Sequence, residues 1–266
     1  METSRDTLFK QAKEWVYEAG EIIRTNMFNE LTIETKSNAN DLVTELDKSI
    51  EQFFAKKIRE LYPSHRIIGE EGYGDDVHSL EGTIWIIDPI DGTMNFVHQK
   101  RNFAISVGIY HDGVGQIGII YDVMDDTLYT AVKGEGAFKN EERLPSLSKE
   151  VGLENSIIAM NSYIGFNDKR INTEKIKALV ADSRGTRSYG SAALEFAFVA
   201  EGIIDGYVSL SLAPWDIAAG MILVNEVGGS TTTAEGNKVN LLEKSSILTC
   251  NQQIFKTLTE DYIELK

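Results

Sequence analysis

The chain has a single cysteine, Cys250, in 266 residues, which excludes an intrachain disulfide framework and fits a reducing compartment such as the cytoplasm. In the run Ser246 to Cys250 that thiol reads as a small buried strand residue rather than a nucleophile. Basic residues are scarce: 26 Lys and Arg stand against 41 Asp and Glu, for a net charge of -15. Such a surface argues against nucleic acid or an anionic membrane as partner. No apolar run approaches the roughly 18 residues of a membrane span, and the first ten residues are polar, so neither a span nor a signal peptide is expected. The four histidines (His65, His78, His98, His111) lack metal-ligand spacing, which disfavours zinc. No linker, repeat or low-complexity segment is present. The halves 1–147 and 148–266 are therefore expected to form one compact unit with a soft boundary near 145 to 150.

What is present begins with an ordinary globular composition, 42% hydrophobic and 25% charged, in a chain long enough for one large domain or two packed halves. The most informative stretch is Trp85-Ile86-Ile87-Asp88-Pro89-Ile90-Asp91-Gly92-Thr93-Met94-Asn95-Phe96. An apolar run bounded by Pro and Gly reads as a core strand whose end carries Asp88 and Asp91 to a sheet edge, across a Pro turn. The amides after Gly92 open toward the same point. Carboxylates attract a cation and free amides an anion, so the stretch suggests a metal-assisted phosphate site.

Along the chain, Thr3 with Asp6 resembles a capping box, and Leu8, Ala12, Trp15, Ala19 and Ile22 follow at helical spacing, predicting a helix over 4–28. Lys36 precedes a polar loop, 37–41. A second helix is expected from Leu42 to Leu61, stopped by Pro63, with Asp47 near its start as an acid favoured by the macrodipole. Arg66-Ile67-Ile68 is a short strand emptying into Gly69-Glu70-Glu71-Gly72, a pair of acids that taken alone would be solvated turn. Three antiparallel strands are expected over 103–110, 116–121 and 127–132. Gly113, Gly115 and Gly118 match G-x-G-x-x-G, but they join two strands with no helix after them, so the dinucleotide reading fails. Beyond 150, strands over 156–160, 205–210, 230–233 and 246–250 alternate with helices over 172–181, 191–200, 215–226 and from 252. The pattern is that of stacked α/β layers. Pro214-Trp215-Asp216 places Asp216 at a helix N-terminus, where an acid is ordinary.

Each acid is weak evidence alone, yet three such places occur with no rival His or Cys set. A calcium loop of the D-x-[DN]-x-[DN]-G kind is ruled out, because Ile90 and Gly92 stand where oxygen ligands belong. If Glu70, Asp88, Asp91 and Asp216 converge, two charges about 4 Å apart repel by roughly 4 kcal/mol at an effective dielectric near 20. Such a cluster needs cations, and oxygen-only ligands beside a phosphate cradle point to magnesium.

These residues carry a resemblance. Asp41-Leu42-Val43-Thr44 with Asp47, Ile68-Gly69-Glu70-Glu71, the Trp85 to Phe96 stretch, Gly190-Ser191-Ala192-Ala193, Trp215-Asp216-Ile217-Ala218-Ala219-Gly220 and Glu226-Val227-Gly228-Gly229 resemble, in order, the motifs of the inositol monophosphatase family of lithium-sensitive, magnesium-dependent phosphatases. The resemblance implies an α-β-α-β-α sandwich, a homodimer, and two or three Mg2+ ions per site. It implies that Glu70, Asp88, the Ile90 carbonyl and Thr93 belong to the first metal's surroundings, and Asp88, Asp91 and Asp216 to the second's. Asp47, Thr93 and Glu70 would orient the attacking water. Asp91, Gly92, Thr93 and Ala192 would contact the substrate, and Lys36 would belong to a flap over the metals.

One departure bears on the substrate. Members efficient on inositol phosphates commonly carry a glutamate seven residues before the last motif aspartate, and here that position is Ser209. Losing a sugar-binding carboxylate predicts relaxed selectivity, with inositol 1-phosphate and the 2′-phosphate of NADP(H) both accepted. The alternatives are fructose 1,6-bisphosphate, a 3′-phosphoadenosine nucleotide, or a catalytically idle metal-binding regulator on the same fold. An idle member should have lost part of the set Glu70, Asp88, Asp91, Asp216, Thr93 and Asp47, and all are present. Arg184 and Arg187 fit phosphate, ribose, surface or dimer contacts equally.

Overall fold

Helical periodicity organises the first element. Leu8, Ala12, Trp15, Val16, Ala19 and Ile23 form the buried stripe of α1 (Arg5–Asn26). The computed structural model describes residues 3–29, 33–35, 42–148, 150–165 and 168–266; Lys36 and the loop 37–41 lie outside the described residues. Ser4 rather than Thr3 caps α1, its hydroxyl accepting from the Thr7 amide at 3.2 Å. Residues 42–44, expected as a first helical turn, form β2 (Leu42–Thr44), paired antiparallel with β1 (Ile33–Thr35). The reason is Thr44: it holds extended backbone, and its side chain caps α2 (Glu45–Leu61).

The larger sheet has seven strands in chain order: β3 (Arg66–Gly69), β4 (Thr83–Asp91), β5 (Ala104–His111), β6 (Val114–Asp122), β7 (Thr127–Val132), β8 (Gly136–Lys139) and β9 (Glu142–Arg143). Only β3 and β4 run parallel. All nine residues of β4 are buried, as a strand covered on both faces must be. Trp85 and Ile87 pack with α1 and α2, while Ile84 and Ile86 pack on the opposite side. There lie α5 (Ala192–Glu201) and α6 (Pro214–Glu226), apolar all round because a second sheet covers them from behind.

Two glycines of the failed dinucleotide match serve the sheet. Gly113 makes the β5–β6 turn at φ 72°. Gly118 lets α6 lie on the sheet, since a methyl group there would stand 2.5 Å from the Ala219 carbonyl oxygen.

The second sheet runs in the order β11 (Gly185–Arg187), β10 (Ile157–Met160), β12 (Gly206–Leu212), β14 (Ser245–Cys250), β13 (Ser230–Thr232). It is parallel at β11-β10-β12 and antiparallel beyond. Its outer face packs with α4 (Thr173–Asp182) and α7 (Gln252–Thr257), through Ile158, Val208, Leu248 and Cys250 against Ile176, Leu179 and Ile254. The layers are therefore α1/α2, seven strands, α5/α6, five strands, α4/α7: the α-β-α-β-α sandwich. The middle apolar layer unites Ile84 and Ile86 from the first sheet with Phe196, Ile217 and Ile247 beyond it.

Candidate active site

Parallel pairing brings the exits of β3 and β4 to one edge. Gly69 is in register with Ile87, so Glu70 leaves the sheet beside Asp88. The expected Pro turn is a bulge instead. β4 runs through Pro89 to Asp91 while its register with β5 shifts between Asp88 and Asp91, and Pro89, with no N–H to offer the ladder, sits inside that irregularity. Asp88 Oδ1 accepts from the Ile90 amide at 3.0 Å.

The turn proper is Gly92, at φ 93°, which caps α3 (Thr93–Gln99) with no side chain occupying the helix end. A methyl group on Gly92 would lie 3.1 Å from the Gly190 carbonyl oxygen and 3.1 Å from Ser191 Cβ. Backbone strain and crowding both require glycine there.

Asp216 arrives from α6. Pro214 opens the helix, and the Asp216 carboxylate returns to accept from the Ala213 amide at 2.7 Å. One carboxylate oxygen each from Asp88, Asp91 and Asp216 all lie within 4.8 Å of one another. Burial first, then the charges of Glu70, Asp91, Asp216 and Asp47, push Asp88 well above the ordinary carboxylate range. Asp216 is raised by burial and then Asp91. Asp91 is raised to about 6 by burial, with the Ser191 hydroxyl and the Ala193 amide pulling the other way. No Lys or Arg forms an ion pair with these three among the described residues. Mutually repelling, oxygen-only donors, Asp88 and Asp91 buried and Asp216 half-buried, fit a hard divalent cation such as magnesium.

Asp47 caps α2 and also faces Thr93. Its Oδ2 accepts from the Thr44 amide at 2.9 Å and from the Thr44 hydroxyl, completing a capping box. Its Oδ1 faces the Thr93 hydroxyl at 3.2 Å, and that hydroxyl lies 3.1 Å from the Ile90 carbonyl oxygen. Asp47 is 1% exposed, and its pKa rises to about 6, by burial above all, against the Thr44 hydrogen bonds and with Glu70 adding repulsion.

Other placements differ in kind. The Ala193 amide donates to Asp91 at 2.8 Å, with the Ala192 amide nearby. Ser209 lies on β12, 2% exposed, its hydroxyl against Tyr207. Arg184 and Arg187 are exposed near the edge of the second sheet. Three further residues support the site. Ser191 donates to Asp91, Asn95 joins α3 to the chain before α5, and Glu51, fully buried, accepts from the Glu71 and Tyr73 amides at 2.6 and 2.7 Å. Ser191 and Asn95 stand inside sequence motifs, but Glu51 looks like any polar residue of a helix. A cleft of about 480 Å³ is lined by Gly69 and Trp215, the chain neighbours of Glu70 and Asp216, and by Leu242 and Lys244 among others; none of the four acids lines it.

Comparison with known proteins agrees with this geometry. The model of the inositol monophosphatase family matches residues 4–264. An inositol-1-monophosphatase of Bacillus subtilis is 56% identical over 255 residues, covering 96% of each chain. A staphylococcal IMPase-II solved with 2′AMP bound superposes with a TM-score of 0.88 at 41% identity, covering 97% of this chain and 94% of that one. An IMPase/NADP phosphatase solved with Mg2+ and phosphate superposes with a TM-score of 0.88 at 27% identity, over 97% and 95%.

Proposed function

The chain belongs to the inositol monophosphatase family and is a phosphoric monoester hydrolase; from that premise we propose that it depends on magnesium and hydrolyses inositol 1-phosphate and nucleoside 2′-phosphates, NADP(H) included, at the acid cluster. The observation that carries the site is the convergence of Asp88, Asp91 and Asp216 within 4.8 Å. Glu70, Asp88 and the Ile90 carbonyl would hold one magnesium, and Asp88, Asp91 and Asp216 a second. When bound, magnesium supplies Lewis acidity that lowers the pKa of a water and offsets charge on the leaving oxygen.

The chain's own groups do the rest. The Gly92 and Thr93 amides, free of side-chain caps, would hold the phosphate; α3 has only 7 residues, so the amides act as direct donors and its macrodipole adds little. Asp47 would accept a proton through Thr93, and Glu70 would steer the attacking water from the neighbouring strand exit. Catalysis is then chiefly positioning and charge complementarity, with no side chain attacking phosphorus.

Broad selectivity is supported by Ser209. Its hydroxyl is buried against Tyr207, so this position offers no carboxylate to a polyol. Relatives of the same fold bind 2′AMP or act on NADP, which suits the same reading. A panel of inositol 1-phosphate, 2′-AMP, NADP, fructose 1,6-bisphosphate and 3′-phosphoadenosine 5′-phosphate, assayed for phosphate release at fixed magnesium, tests it. Comparable turnover of the first three supports it; turnover of one inositol phosphate alone rejects it.

We also propose a homodimer, checked by sedimentation, and a cytoplasmic location, in keeping with the lone buried thiol of Cys250. No helix among the described residues is long and apolar enough to cross a membrane.

A further inference from the structure

The turn Tyr189-Gly190-Ser191 stands behind the Asp91 carboxylate, and its polar groups are engaged from several sides. Asn95 Nδ2 donates to the Tyr189 carbonyl at 2.7 Å and to the Asn102 carbonyl at 2.8 Å. Gly190 takes φ 79° and packs its carbonyl against Gly92. From behind, Glu195 Oε1 accepts from the Tyr189 amide at 2.7 Å, and the Gly190 amide and the Tyr207 hydroxyl lie near the same carboxylate and favour its charged form. The turn ends at Ser191, which donates to Asp91 Oδ2 and begins the helix whose Ala193 amide donates to that same oxygen at 2.8 Å.

Glu195 is 4% exposed and has no ion pair with Lys or Arg among the described residues. Burying an acid in this way is unfavourable unless donors surround it. The Tyr189 amide of the turn donates to it, with the Gly190 amide and the Tyr207 hydroxyl nearby. A glutamine would set its own NH2 against one of these donors, so an acceptor with two oxygens is what the pocket demands. The hydroxyl of Tyr207 faces Ser209 in turn, so one buried polar path joins Ser209 to the support of Asp91.

We propose that Glu195 is a positioning residue for the reaction: it fixes the Tyr189–Ser191 turn so that the Ser191 hydroxyl and the Ala193 amide hold Asp91 aimed at Asp88 and Asp216. This rests on the reading of Asp91 as a magnesium ligand. Outer partners of metal ligands commonly change metal affinity or activity by about 10- to 100-fold when removed.

The test compares Glu195→Gln, Ser191→Ala and their double variant, by calorimetric titration with magnesium and by kcat and KM on inositol 1-phosphate. Glu195→Gln should weaken magnesium binding about 10- to 100-fold and lower kcat by a similar factor. The double variant should be little worse than Ser191→Ala alone, because both act through Asp91. Glu201→Gln is the structural control: it loses the charge and one of the two oxygens that accept from Tyr129 and Lys139, each at 2.6 Å, and should lower the melting temperature without changing magnesium affinity. If Glu195→Gln fails to fold, Tyr207→Phe, which removes one donor only, should still weaken magnesium binding by about threefold or more. Magnesium affinity and kcat within twofold of the unmodified chain, or effects that multiply in the double variant, would overturn the proposal. An active Asp91→Asn would refute the underlying reading, whereas an inactive Asp91→Asn beside an unaffected Glu195→Gln would refute this inference alone.

Discussion

Asp47→Asn separates the two roles of one buried carboxylate. The side chains have the same shape, so the amide oxygen can keep accepting from the Thr44 amide, now at 2.9 Å, and the cap of α2 survives. The NH2 then faces the Thr93 hydroxyl, 3.2 Å from the present Oδ1. Thr93 must accept there, and its own proton has only the Ile90 carbonyl, 3.1 Å away, as a protein acceptor. The proposed route for the water's proton is then closed. Losing a positioned base costs about 10²- to 10⁴-fold in rate, or roughly 3–5 kcal/mol of barrier.

Stability should move in the opposite direction. Asp47 titrates near 3.8 when unfolded and at about 6 when folded. Between those values the native state binds more protons than the unfolded state, so stability falls as pH rises. The cost is absent below pH 3.8 and complete above about 6, where a shift of two units amounts to about 3 kcal/mol. With magnesium chelated, Asp47→Asn should therefore melt higher than the unmodified chain at pH 8 and lose that advantage on acidification. Phosphate release at saturating magnesium and thermal unfolding in chelator, at pH 8 and near pH 4, measure both. A kcat within threefold of normal, or a variant less stable at pH 8, would refute the reasoning.

Gly92→Ala should destabilise the fold by roughly 1–3 kcal/mol, since alanine would be forced to φ 93° with its methyl 3.1 Å from the Gly190 carbonyl; unfolding in denaturant and a raised KM for the ester both report it. Lithium should inhibit the magnesium-dependent turnover, as expected of this family, and a lithium titration at fixed magnesium that leaves the rate unchanged would contradict that expectation.

Much of the fold was legible because burial leaves a strong periodic mark. The run into Asp88 and Asp91 announced β4, and the stripe from Leu8 announced α1. Short edge elements left no such mark: β8, β9 and β11 have 4, 2 and 3 residues and few buried positions. β2 was mistaken for helix because Leu42 and Val43 continue the apolar spacing of Leu46 and Ile50, and only the backbone of Thr44 separates them. In the site, Asp88, Asp91 and Asp216 could be named from their motifs. Ser191 and Glu195 could not be given a task, because Ser191 meets Asp91 across 100 residues and Glu195 acts behind it. Pairing at that separation leaves no local pattern.

The central claim is that Asp88, Asp91 and Asp216 hold magnesium for phosphate release. It is tested most directly by phosphate release from inositol 1-phosphate, with Asp91→Asn assayed beside the unmodified chain across a magnesium titration, and circular dichroism verifying the fold. Turnover should rise with magnesium in the unmodified chain and be abolished in a folded Asp91→Asn. Turnover indifferent to magnesium, or a near-normal rate in the variant, would contradict it.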